Sequence, residues 1–85
     1  MPVIPNIHFT LLVKVNGRLR EFNFLKRSET LYETDTSDER GNRFVFMWRE
    51  QQGQWIIESR DRHDLPAFIT ANRDAIEQAF ALQLH

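Results

Sequence analysis

The stretch HFTLLVKVNGRLREFNFL, residues 8–25, contains two strands and the turn that joins them. Asn16-Gly17 accepts the positive φ angles of a two-residue hairpin turn at the least steric cost, so the turn sets the register on both sides. Pairing Val15 with Arg18 places Leu11 opposite Phe22 and Phe9 opposite Phe24, with Ile7 and Val13 on the same face. The other face receives His8, Thr10, Leu12, Lys14, Leu19, Glu21, Asn23 and Leu25. A slip of one residue would scatter the aromatics over both faces, which locks the pairing.

Outward from this hairpin the chain keeps the same period. After Phe24 it turns at KRSE and resumes as TLYETDT, a threonine-rich run suited to a half-exposed strand. A three-residue turn there brings Tyr32 and Thr34 onto the Phe22/Phe24 face. A two-residue turn brings Leu31 instead, and both remain open. SDERGN at 37–42 is a loop of turn-forming residues. A fourth strand runs from Arg43, and Gln52-Gly53 reverses it into a fifth. Pairing Glu50 with Trp55 puts Phe44, Phe46, Trp48, Trp55 and Ile57 on one face and Val45, Met47, Arg49, Ile56 and Glu58 on the other. The strands are expected at about 6–15, 18–27, 30–36, 43–50 and 54–59.

SRDRHD then leaves the sheet as a charged connector, and Leu65-Pro66 marks a helix start. Leu65, Phe68, Ile69, Asn72, Ile76, Ala79, Phe80 and Leu84 recur at three- and four-residue steps. They predict an amphipathic helix over about 66–83, with a break near Thr70–Asn72 where Asn72 can act as an N-cap. Strands first and helix last give an α+β class: a five-stranded antiparallel meander with one C-terminal helix packed on one face, in a single domain over 1–85.

Composition excludes several functional classes. Hydrophobic residues at 41% with 27% charged match a soluble globular chain. A net charge of -1 and a pI near 6.3 supply no general attraction to nucleic acid or anionic membrane. Without cysteine there is no disulfide framework, thiolate nucleophile or cysteine zinc site. The N-terminal MPVIPNIHF has no charged n-region before an apolar run, and no apolar run approaches ~20 residues, so a cytoplasmic location without membrane insertion is expected.

No motif predicts catalysis, a metal or a cofactor. His8, His63 and His85 lack ligand spacing. Asp61, His63 and Asp64 have no accompanying nucleophile. ETDTSDERGN lacks the spacing of a calcium loop. The aromatics alternate onto the face that the helix covers, so they read as core and not as a nucleic-acid stacking platform.

Lys14, Arg18 and Arg20 gather around the first hairpin turn in KVNGRLR. This spacing resembles the basic pattern that pleckstrin-homology domains carry in their first hairpin to grip phosphoinositide head groups. The resemblance implies anion binding by Lys14, Arg18 and Arg20. It covers about seven residues, and that fold has seven strands, a longer ligand loop and a helix tryptophan absent here.

A further expectation comes from widths. Five strands at ~4.8 Å spacing span ~20–25 Å, whereas a helix with its side chains is ~10–12 Å across. Either the twisted sheet curls around the helix or another molecule covers the remainder. On the opposite face Val45, Met47 and Ile56 gather beside one another. Together with Trp55 they are the expected contact residues for a homodimer or a protein partner. The alternative is a set of scattered β-formers shielded by the stems of Arg49 and Lys14.

Overall fold

A computed structural model of the chain describes residues 7–59 and 65–84. Five strands form one antiparallel sheet in the order of the sequence: β1 (His8–Val15), β2 (Arg18–Ser28), β3 (Leu31–Ser37), β4 (Arg43–Gln51) and β5 (Gln54–Ser59). Two helical segments follow, α1 (Ala67–Thr70) and α2 (Arg73–Leu84). The expected α+β meander with a C-terminal helix is therefore the fold. The connector over 60–64, with Asp61, His63 and Asp64, lies outside the described residues, as do His85 and the expected strand start at residue 6.

The first hairpin has the register that Asn16-Gly17 imposes, with Val15 facing Arg18, Leu11 facing Phe22 and Phe9 facing Phe24. Asn16 at φ 51° and Gly17 at φ 82° supply the left-handed pair of a type I′ turn. Gln52 at φ 54° and Gly53 at φ 81° do the same between β4 and β5. The link between β2 and β3 follows neither simple alternative. Ser28 faces Leu31 across a two-residue turn, but the register shifts by a bulge between Lys26 and Ser28. The extra residue restores the alternation that the short turn would have reversed, so Tyr32, Thr34 and Thr36 enter the core behind Phe22 and Phe24.

The helix is interrupted at Ala71–Asn72. The Asn72 carbonyl accepts the Ile76 N–H at 3.1 Å, which begins the ladder of α2. The Asn72 side chain faces the other way: its amide donates to the Phe68 carbonyl at 2.9 Å and so satisfies the end of α1.

The width problem is solved by curvature. The Phe80 ring, on α2, lies 6.1 Å from Phe9, 5.3 Å from Phe24, 4.9 Å from Tyr32, 5.8 Å from Trp48 and 4.7 Å from Trp55. Those five rings come one from each strand. The Phe9 and Trp55 rings are thus no more than about 11 Å apart, although four flat strand spacings would separate their strands by ~19 Å. The sheet wraps around Phe80 like a hand around a rod, and α2 packs on both edge strands, β1 and β5. Phe22, Phe24, Phe46, Trp48, Ile69 and Ile76 reach 0% exposure within one chain.

Among the described residues two buried polar atoms have no hydrogen-bond partner, the Thr34 hydroxyl and the Trp48 indole N–H. Thr36, two residues along, is satisfied by donating its hydroxyl to the Glu21 carbonyl at 2.8 Å.

Candidate interaction surface

The outer face of the sheet is built in rows by the strand registers. One row runs His8, Leu25, Glu33, Met47, Glu58, and the next Thr10, Asn23, Asp35, Val45. Ile56 lies diagonally beside Met47, because Met47 faces Glu58 and Arg49 faces Ile56. The chain thus brings Val45, Met47 and Ile56 together, each half-buried. Ion pairs run between them: Arg27 to Glu33 at 2.5 Å, Arg43 to Asp35 at 2.6 Å and Arg49 to Glu58 at 3.2 Å. Trp55 stands on the opposite face. Its ring stacks on Trp48 at 5.7 Å and meets Phe80, so it belongs to the interior wall of β5. A shallow depression of about 190 Å³ on this outer face is lined by His8, Arg27, Glu33, Asp35 and Arg43 among others. It is smaller than the ~300 Å³ at which ligand pockets begin.

The basic residues of the first hairpin divide between the faces. Lys14 faces Leu19 on the outer face and is exposed. Arg18 and Arg20 reach the other way and converge on one carboxylate oxygen, Glu39 Oε1, at 2.5 and 3.0 Å. Arg20 also lies 5.7 Å over the Phe68 ring. The loop that carries Glu39 is held by Asp38, whose carboxylate accepts the Arg40 and Asn42 N–H groups and the Asn42 side-chain amide, each at 2.9 Å. These bonds, the Asn42 amide first, hold the Asp38 carboxyl below its ordinary range. Glu39 thus pairs with both arginines, and the single sheet has five strands where that fold has seven.

The two sheet edges differ. At β5 the two-residue turn makes Gln51 and Gln54 a hydrogen-bonded pair, so by alternation the Trp55 carbonyl points away from β4. Arg73 of α2 donates to that carbonyl at 2.8 Å and holds Glu77 at 2.7 Å, which guards the edge. At β1 the bond from Lys26 N–H to the Ile7 carbonyl, at 2.9 Å, marks the odd-numbered residues as the bonded ones. The N–H and C=O groups of His8, Thr10, Leu12 and Lys14 consequently point out from the sheet. No described residue bonds to them.

Apolar exposure gathers at the same edge. Among the described residues the large hydrophobics that stand exposed are Ile7 (40%), Leu12 (59%), Leu19 (66%) and Leu82 (79%). Ile7 precedes β1, Leu12 is in it and Leu19 lies on the neighbouring β2, while Leu82 is on α2, which packs on both edge strands. Sequence reasoning missed this edge because every β1 residue has a plausible partner in β2; openness is a property of the strand order.

Among the described residues no three His, Asp or Glu side chains converge as a metal site would require, and no helix is long and apolar enough to cross a membrane. No protein-family model, curated protein or solved structure matches this chain.

Proposed function

We propose that this chain is a small non-catalytic interaction module that holds its partner by accepting an extended segment as a sixth strand beside β1. The observation that carries this reading is the coincidence of an eight-residue strand edge, whose outward groups no described residue bonds, with the exposed hydrophobics Leu12 and Leu19 beside it and Ile7 at its start. Backbone bonds to an added strand give affinity, and side chains beside alternate positions give selectivity. The central patch of Val45, Met47 and Ile56 competes poorly, since it is half-buried and laced with ion pairs. The hairpin arginines compete poorly as an anion site, since Glu39 already holds both.

A display library of eight-residue peptides with alternating apolar residues tests this reading on the purified chain. Binders are expected to shift the backbone amide signals of His8, Thr10, Leu12 and Lys14. They should lose affinity for Leu12→Pro, which removes an outward donor and no bond to β2. Binders that shift Val45, Met47 and Ile56 instead, equal binding to folded Leu12→Pro, or a library without binders would overturn it.

A further inference from the structure

We infer that the strand accepted at this edge is β1 of a second copy of the same chain, laid antiparallel about a two-fold axis through Leu11. The inference rests on strand addition at β1 and adds the identity and register of the partner. About that axis His8 faces Lys14 of the partner subunit and Thr10 faces Leu12 of the partner subunit. Every outward residue of β1 then faces an outward residue, and at two bonds for each of four facing pairs all eight outward groups of each copy are used. Moving the axis to Leu12 sets His8 against Asn16, whose φ of 51° belongs to the turn, and one facing pair is lost. Moving it towards the N-terminus loses a pair at the other end of the strand.

The same axis extends an apolar stripe. Leu12 faces Glu21, so Leu19 is its diagonal neighbour within one copy. Because Leu12 also faces Thr10 of the partner subunit, the two Leu12 side chains become diagonal neighbours across the axis, at the ~7–8 Å that long side chains bridge. Leu19, Leu12 and their two counterparts form one line on the outer face, where each copy alone leaves them 66% and 59% exposed. On the inner face α2 packs on β1, so the two helices flank the axis, with the exposed Leu82 on each.

The contact is large enough for a weak dimer. An eight-residue edge is roughly 27 Å long, and a sheet plus a helix layer is roughly 20 Å deep. The cross-section is then ~500 Å² on each copy and ~1,000 Å² in total, at the lower limit of specific interfaces. The β5 edge is shorter, at six residues, and Arg73 already occupies its Trp55 carbonyl.

Sedimentation equilibrium from about 10 µM to about 1 mM, the range that suits a contact of this size, tests the inference. Wild-type chain is expected to pass from 10.2 kDa to twice that mass, and folded Leu12→Pro to stay at 10.2 kDa. In a mixture of isotope-labelled and unlabelled chains, intermolecular contacts should join His8 to Lys14 and Thr10 to Leu12. A constant 10.2 kDa mass with peptide binding at β1 intact would overturn self-pairing and leave strand addition standing. A dimer that Leu12→Pro does not disturb, or whose contacts join Val45 and Met47, would overturn self-pairing at β1, and strand addition would fall with it where the peptides also fail to bind there.

Discussion

Replacing Phe80 by alanine removes the object around which the sheet curls. The ring is 1% exposed and lies within 4.7–6.1 Å of an aromatic from every strand. Truncating a buried phenylalanine costs about 3–5 kcal/mol, and five ring contacts place this site at the upper end, since each aromatic pair adds ~0.5–1.5 kcal/mol beyond area. The cost is not confined to one strand, because Phe80 touches a ring from each of the five, and Tyr32 is the other ring that meets both Phe9 and Trp55. A chain of 85 residues has a total stability of roughly 4–13 kcal/mol. Phe80→Ala should therefore lower the melting temperature by ~15 °C or more, at 4–8 °C for each kcal/mol, or leave the chain unfolded. Phe80→Leu, which keeps most of the volume, should remain folded and lose about 1–1.5 kcal/mol. Urea unfolding followed by the fluorescence of Trp48 and Trp55 measures both. A loss below about 1.5 kcal/mol for Phe80→Ala would refute the claim that the curl closes on this ring.

Other parts of the structure give sharper but smaller effects. Thr34→Val replaces a buried hydroxyl without a partner by a methyl group of the same shape, and should raise stability by about 1 kcal/mol in urea titration. Gly53→Ala meets open space but a φ of 81°, so its cost is torsional alone; about 1–2 kcal/mol is expected in the urea midpoint. The Asp38 carboxyl titrates below its unfolded value, so its contribution to stability is present above the ordinary carboxylate range and is lost as pH falls through the folded value. Between about pH 5 and pH 2, urea midpoints of Asp38→Asn should fall less steeply than those of the wild type.

Local chemistry made the hairpins legible. Asn16-Gly17 and Gln52-Gly53 each fix a register, and the alternation of Phe9, Phe22, Phe24, Phe46 and Trp48 then follows to the residue. The bulge before β3 was not legible, because KRSET permits either turn length and the choice is made by burying Tyr32 against Phe24 and Phe80. The curl was legible as one of two answers to the mismatch of widths, but the ring it closes on was not, because that depends on Phe80 meeting partners up to 71 positions away. Trp55 was drawn into the expected contact patch by its hydrophobicity, although its alternation already put it with Trp48. Glu39, which takes the charge of Arg18 and Arg20, is separated from Arg18 by 21 positions, and no spacing rule connects them. The asymmetry of the edges rests on Arg73 reaching Trp55 across 18 positions, and no reading of β1 or β5 alone contains it.

Hydrogen exchange of the β1 amides, measured residue by residue at about 20 µM and at about 1 mM, probes the open edge itself. In dilute solution Phe9, Leu11, Val13 and Val15 should be protected while Thr10, Leu12 and Lys14 exchange freely. At the higher concentration the second group should slow by at least tenfold. Protection of Thr10, Leu12 and Lys14 already present in dilute monomer, or exchange that concentration leaves unchanged, would contradict a self-complementary edge at β1.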